Sequence, residues 1–226
     1  MAISIAQPDL DQLCEQLETG DLVARKLALA SLRNVPAQQA VPLIKKVLND
    51  KNEQVRSMAI FALGLKPMAE CYGLLVNIME TDPDYGIRAD AAGALGYLED
   101  PRAFDPLVKA FYEDVDWLVR FSAAVSLGNL KNPEAHDVLI AALNSPEVVI
   151  QQAAIAALGE IRDIEAVDHI LNFAQADDWL VRQRLAEALG NLPTAKSLSA
   201  LRYLAKDAHS QVSEAARISL QRLESK

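Results

Sequence analysis

Two cysteines and three histidines are the residues of this sequence best suited to bind a metal or act as a nucleophile. Cys14 and Cys71 are far apart in the chain, and neither lies close to His136, His169 or His209. A zinc site requires several nitrogen or sulfur ligands that converge at short spacing. The sequence therefore predicts no metal site and no cofactor of its own. The apolar neighbours of both cysteines favour small buried side chains, and a surface thiol is the alternative.

Three carboxylates, Asp90, Glu160 and Glu187, are candidates for acid–base chemistry. Helical periodicity places each of them on the outward side of its helix. No glycine-rich phosphate loop or nucleophile elbow accompanies them, because the repeated Leu-Gly dipeptides end predicted helices instead of opening them. The sequence predicts no conventional active site and leaves open whether the protein is an enzyme.

These side chains are carried by an internal repeat that runs through the chain. Its copies are 31 or 32 residues apart, and the alignment position, usually an arginine after Val or Ile, recurs seven times. Each copy predicts a first helix A, a short turn and a second helix B. The predicted B helices are 22–34, 53–66, 85–98, 117–130, 148–161, 179–192 and 210–224. This pattern predicts an all-α fold, a right-handed α-α superhelix (solenoid) of about seven helical hairpins, and a single domain over residues 1–226.

Composition and charge restrict the classes of partner. The 226 residues are 51% hydrophobic but only 5% aromatic, which suits close helix packing. The net charge of −9 argues against binding to nucleic acid or to an anionic membrane surface. No apolar run is long enough to span a membrane, and the N-terminus lacks the pattern of a signal peptide. We expect a cytoplasmic protein.

An acidic or amide residue comes four positions before most of the repeated arginines. Such a side chain can accept hydrogen bonds from the free N–H groups of the first helical turn. The spacing also permits an ion pair within the repeat, or a ladder to the neighbouring repeat. We expect these pairs to be structural. They are Asp84 with Arg88, Asp116 with Arg120, and Asp178 with Arg182.

The outward face of the B helices is the predicted partner-binding groove. With 100° per residue, offsets of +1, +2, +5 and +9 from the alignment position lie opposite the core. The groove begins apolar and becomes charged along the chain. Exposed aromatic and methionine side chains are typical of interaction sites; the alternative is that they pack on one another. The main groove residues are Met58, Phe61, Tyr97, Phe121, Val125, Gln152, Glu160, Arg184 and Glu187.

Three aromatic residues share one position at the start of helix B: Tyr85, Trp117 and Trp179. Two interpretations stay open for them. They pack against the turn of their own repeat, or they are aromatic anchors for a partner or a tetrapyrrole, because a tryptophan buries much area at little entropic cost.

The string Asp116-Trp117-Leu118-Val119-Arg120 with Leu127-Gly128 resembles a HEAT repeat of the phycobilisome-lyase type found in cyanobacteria, and the segments at 84–96 and 178–190 match it too. This family is similar to the phycobilisome degradation protein NblB, to bilin lyase subunits and to IaiH. The resemblance covers nearly the whole chain.

The resemblance implies a protein partner, a phycobiliprotein subunit held in the groove, with a role in bilin attachment, detachment or phycobilisome degradation. Such a partner would bring a bilin into contact with the chain. A non-catalytic scaffold is the simpler form of this hypothesis. The other alternative that the resemblance implies is a partner of an iron–sulfur cluster carrier, which would involve Cys14 or Cys71.

Overall fold

The computed structural model describes residues 9–225, and within them every regular element is helical. Fourteen α-helices and three short 3-10 turns alternate along this part of the chain. The odd-numbered helices are the A helices of the repeats and the even-numbered ones are the B helices. The predicted all-α fold of seven helical hairpins is confirmed.

The chain divides into two compact units between Asp100 and Pro101. The single domain over residues 1–226 stays a prediction. The first unit contains three repeats. Its helices are α1 (Leu10–Thr19), α2 (Leu22–Ser31), α3 (Ala37–Lys45), α4 (Glu53–Gly64), α5 (Ala69–Thr81) and α6 (Tyr85–Leu98).

The second unit contains the remaining four repeats. Its B helices pack in succession, each against the next one and against the A helix of its own repeat. The helices are α7 (Phe104–Glu113), α8 (Trp117–Asn129), α9 (His136–Ala142), α10 (Val148–Glu160), α11 (Val167–Leu171), α12 (Trp179–Leu189), α13 (Ala195–Leu204) and α14 (Ser210–Glu224).

Acidic and amide side chains start the B helices, as the sequence predicts. The Asp84 carboxylate accepts hydrogen bonds from the N–H groups of Gly86 and Ile87, and Asp21, Asn52, Asp116 and Asp178 make equivalent bonds. These bonds satisfy N–H groups that have no partner inside the helix. Glu147 occupies the equivalent position before α10 but does not cap it, because its carboxylate binds Ser145 and Arg120 instead.

Small residues allow neighbouring B helices to approach closely. A methyl group added at Gly159 would lie 2.7 Å from the Cα of Ala188 in the next B helix, and one at Gly128 would lie 2.8 Å from the Cα of Ala157. Both glycines are helical and buried. The repeated Leu-Gly therefore has a packing function between repeats that the sequence analysis did not assign to it.

One buried cation, Lys66, joins two repeats of the first unit. Its Nζ donates hydrogen bonds to the backbone oxygens of Arg33 (2.8 Å) and Val35 (2.7 Å). Burial lowers the pKa of this ammonium group. The six other copies carry Val, Leu or Ile at this position, so the lysine is the detectable signal that sequence analysis missed.

None of the helices among residues 9–225 has the length and apolar character needed to cross a lipid bilayer.

Candidate functional site

The B helices of the first unit expose a group of apolar side chains, which we call the N-terminal apolar surface. It is carried by α2, α4 and α6, which pack one after another. Val23 and Leu27 are 64% and 62% exposed, and Phe61 and Tyr97 are 50% and 55% exposed. Met58 and Leu65 complete the surface as half-buried residues.

Phe61 and Tyr97 are the two aromatic residues of this surface, and they contact each other. Their rings meet edge to face, with centroids 5.7 Å apart and planes at 85°. This geometry is favourable between aromatic rings, yet half of each side chain stays open to solvent. The two rings therefore pack on each other and also remain available for contact. Both interpretations of the groove residues apply to this pair.

Sequence analysis did not name two members of the surface, Val23 and Leu27, although Leu27 lies at the outward offset +2 from the alignment position of the first repeat. A usable signal was present, since Val23 lies two residues before the alignment position Arg25. At 100° per residue, this offset falls on the same outward side as the offsets that were considered.

The B helices of the second unit expose a more polar face. Val125 is 38% exposed, whereas Phe121 and Gln152 are half-buried. Further along, Arg184 donates a hydrogen bond of 2.8 Å to Glu187, so these two predicted groove residues neutralise each other. An open groove of about 740 Å³ lies beside them, between α12 and α14.

The candidate acid–base residues lie in different surroundings. The Glu187 carboxylate accepts hydrogen bonds from both Gln183 and Arg184. Glu160 is exposed at the end of α10, and Asp90 is half-buried in α6. Glu160 and Glu187 line different concavities of the second unit, so the structure does not bring these two together at one site.

The repeated aromatic position at the start of helix B is partly exposed in all three cases. Trp179 stacks on the ring of His209, with centroids 4.2 Å apart and planes at 10°. His209 belongs to the next repeat, where it replaces the usual capping carboxylate. The stacking of Trp179 on His209 therefore joins two repeats, whereas the sequence interpretation was packing on the turn of its own repeat. Tyr85 and Trp117 are 54% and 45% exposed, and an anchoring role for the three aromatics stays a prediction.

The repeated arginines connect elements, while the paired aspartates cap helices. Arg182 donates through Nη1 to the backbone oxygens of Ala176 and Asp177, and through Nε and Nη2 to the Asp207 carboxylate of the next repeat. The arrangement is thus a ladder between repeats. The Arg182 guanidinium lowers the pKa of the Asp207 carboxyl, mainly through the hydrogen bond between them.

Other repeats show variations of the same arrangement. Arg120 bonds to the backbone oxygen of Asp114 and pairs with Glu147 at 3.0 Å. Arg88 bonds to the backbone oxygen of Asp82 at 3.1 Å. In each case the guanidinium bridges the turn before its own helix.

The two cysteines differ in accessibility. Cys71 is fully buried in α5, and burial raises the pKa of its thiol. Cys14 is half-buried, and its Sγ lies 3.8 Å from a carboxylate oxygen of Glu18. Across residues 9–225, no three His, Cys, Asp or Glu side chains converge as a metal site would require.

His136 contacts a residue of the neighbouring repeat. Its Nδ1 contacts the Asp163 carboxylate, which also accepts backbone hydrogen bonds from Glu165 and Ala166. The bond to Asp163 is the main cause that raises the pKa of His136. Sequence analysis did not find this contact, because Asp163 is distant from His136 in the chain.

The raised pKa of His136 predicts a pH-dependent stability. A histidine whose pKa is higher in the folded state stabilises the fold below its unfolded pKa of about 6.5, and this contribution is lost as pH rises through the folded pKa. We expect urea unfolding measured from pH 6 upward to show this loss, and His136→Gln to remove it. His169→Gln, on an exposed histidine, should leave the loss unchanged. An identical pH profile for His136→Gln and the unsubstituted protein would contradict the assignment.

Comparison with solved structures shows the same helical architecture in proteins of low sequence identity. A chain of the complex of CpcE and CpcF of phycocyanin lyase from Nostoc sp. PCC7120 has a TM-score of 0.61 and 20% identity, covering 99% of this chain and 97% of that chain. A chain in the structure of Kap95p with RanGDP has a TM-score of 0.63 and 15% identity, covering 98% of this chain and 36% of that one. These are similarities of fold.

Comparison with curated protein sequences finds no match. The family model for HEAT repeats matches residues 10–67, 74–150 and 136–221, which together span nearly all of the described helices. The match agrees with the capped B helices, the ladder of arginines and the close packing of successive B helices. This chain belongs to the HEAT-repeat family.

Proposed function

We propose that this chain is a protein-interaction module whose partner binds the N-terminal apolar surface. The observation that carries the proposal is the exposure of Phe61 and Tyr97, the two aromatic residues of that surface. Exposed aromatic and apolar side chains grouped on neighbouring elements are typical of protein–protein interaction sites. The negative net charge supports a protein partner over a nucleic acid.

The partner that we propose is a phycobiliprotein subunit in the cytoplasm. Support comes from the similarity of fold to the CpcE and CpcF complex, which is described as a phycocyanin lyase. It also comes from the HEAT repeats, whose stacked helices present an extended surface to a partner. In this proposal any bilin belongs to the partner, and the chain holds no cofactor of its own.

The test is binding to phycocyanin, measured by biolayer interferometry at fixed ionic strength. Phe61→Ser with Tyr97→Ser should weaken binding at least thirtyfold, because loss of aromatic hot spots costs about 2 kcal/mol or more. Tyr203→Ser is the matched control, since Tyr203 is 56% exposed on the A helix α13. Unchanged affinity of the double variant would overturn the surface assignment.

Visible absorbance of the same mixture separates binding from chromophore chemistry. Co-elution with an unchanged phycocyanin spectrum would support a non-catalytic scaffold. Bleaching or release of free bilin would support chromophore detachment, and substitution of Glu160 or Asp90 by the corresponding amide should then slow it.

A further inference from the structure

A group of cations meets at the C-terminal ends of the B helices in the second unit. Lys131 follows α8, Arg162 follows α10, and Arg222 lies in α14. Together with Glu160 and Asn191 they line a concavity of about 400 Å³. The group is unusual in a chain whose net charge is −9.

Lys131 and Arg162 differ from several other cations of the second unit in their lack of an ion pair among the described residues. Arg120, Arg182 and Arg184 each face a carboxylate of the protein. Within the described residues of the second unit, the side chains of Lys131 and Arg162 are exposed and have no such carboxylate within bonding distance. Their positive charges are available to a ligand.

Arg222 and Asn191 add hydrogen-bond donors to the concavity. Arg222 donates through Nη1 to the side-chain oxygen of Asn191 at 3.0 Å. This bond occupies the acceptor of the amide and leaves its NH₂ group as a donor. A planar guanidinium presents further donors in a fork that matches the oxygens of a phosphate.

Lys131 and Arg162 also occupy a conformation that a glycine would adopt more easily. Their φ angles are 53° and 57°, in the left-handed region, just after the ends of α8 and α10. Glycine is the usual residue at such helix ends, because a side chain there is strained. Glu99 has the same conformation after α6, with φ of 53°. Two long cations are thus held at strained positions of successive repeats.

We propose that this concavity binds a phosphate group. Three cations against the single carboxylate of Glu160 leave a net of two positive charges, which complements a phosphate group carrying about 1.5 to 2 negative charges at neutral pH. The negative ends of the α8 and α10 dipoles oppose the anion, so we expect a dissociation constant of roughly 1 mM. This site is separate from the N-terminal apolar surface and does not depend on the partner proposed for it.

The test is isothermal titration calorimetry of the full chain with inorganic phosphate, which measures the dissociation constant. The ionic strength is held constant with chloride. Lys131→Gly and Arg162→Gly should each weaken binding about tenfold. Both variants should keep the melting temperature of the unsubstituted protein or raise it by about 2 °C, because glycine relieves the strained backbone. Loss of binding in these variants is therefore distinguishable from loss of folding. Glu160→Gln should tighten binding about threefold.

Two matched controls keep the test specific. Glu99→Gly makes the same backbone change after α6 and should leave phosphate binding unchanged. Lys206→Gln removes an exposed cation of the second unit that lies outside the concavity, and it should also have no effect. Absence of saturable binding up to about 50 mM phosphate, well above the expected constant, would overturn the proposal. So would equal weakening by Lys206→Gln and Lys131→Gly.

The source of the phosphate is distinguished by a second titration. A short phosphoserine peptide is compared with its unphosphorylated form and with inorganic phosphate. Tighter binding of the phosphopeptide would support a phosphate carried by a protein, and equal binding would support free phosphate. Binding of the unphosphorylated peptide as tightly as the phosphopeptide would contradict recognition of the phosphate.

Discussion

Arg182→Ala is expected to lower the free energy of unfolding by about 3 kcal/mol, because it leaves a largely buried carboxylate without its partner. The side chains of Arg182 and Asp207 are only 16% and 9% exposed. Four hydrogen bonds disappear, two to Asp207 and two to the backbone oxygens of Ala176 and Asp177. Urea unfolding followed by circular dichroism measures the change.

Arg184→Ala is the matched control on the same helix. The Arg184–Glu187 pair is 43% and 41% exposed, and exposed pairs contribute about 0.5 kcal/mol or less. If both alanine variants lost the same stability, the ladder between repeats would not be the cause.

The Arg182 substitution should also change the response to acid. A carboxyl whose pKa is lowered by folding stabilises the fold above its unfolded pKa, and this contribution is lost as pH falls through the folded pKa. Arg182 is the main cause that lowers the pKa of Asp207. We therefore expect Arg182→Ala to remove part of the acid-dependent loss of stability below about pH 4.

Gly159→Ala is expected to destabilise the protein by about 2 kcal/mol, although alanine favours helices more than glycine does. The added methyl group would lie 2.7 Å from Cα and 2.8 Å from Cβ of Ala188. These atoms cannot rotate away, so α10 and α12 must move apart, and overpacking of this kind costs about 1–3 kcal/mol. Thermal and urea unfolding should both report the loss.

Gly93→Ala provides a control of opposite sign. Gly93 lies within α6, and a methyl group added there meets no atom within 4 Å. The helix propensity of alanine should then stabilise the protein by about 1 kcal/mol. Stabilisation by both substitutions would show that the close approach of the B helices does not limit stability.

The helices and their starting residues follow from local information. A carboxylate such as Asp84 caps the N–H groups two and three residues further on, so its effect depends on spacing along the chain alone. The predicted B helices 85–98 and 210–224 coincide with the observed α6 and α14, and the other five end one to three residues earlier than predicted. Exposure of Phe61 and Tyr97 also follows from helical periodicity.

Contacts between repeats depend on residues far apart in the chain. His136 with Asp163, and Trp179 with His209, each join adjacent repeats. Their partners have no local signature, because the distance and orientation of two hairpins decide which side chains meet. Lys66 is an intermediate case between local and long-range information. The sequence shows a charge at a repeat position that is otherwise apolar, but it does not show which backbone oxygens accept hydrogen bonds from that lysine.

By itself, the sequence determined the seven hairpins, the capped starts of the B helices and the outward faces that carry exposed apolar residues. These depend on periodicity and on bonds between residues within one or two turns. Only the tertiary structure decided that Gly159 packs on Ala188, that Arg182 pairs with Asp207, and that the concavity lined by Lys131 and Arg162 exists. Each of these requires two repeats to meet at a particular distance and angle, which the packing of whole helices sets.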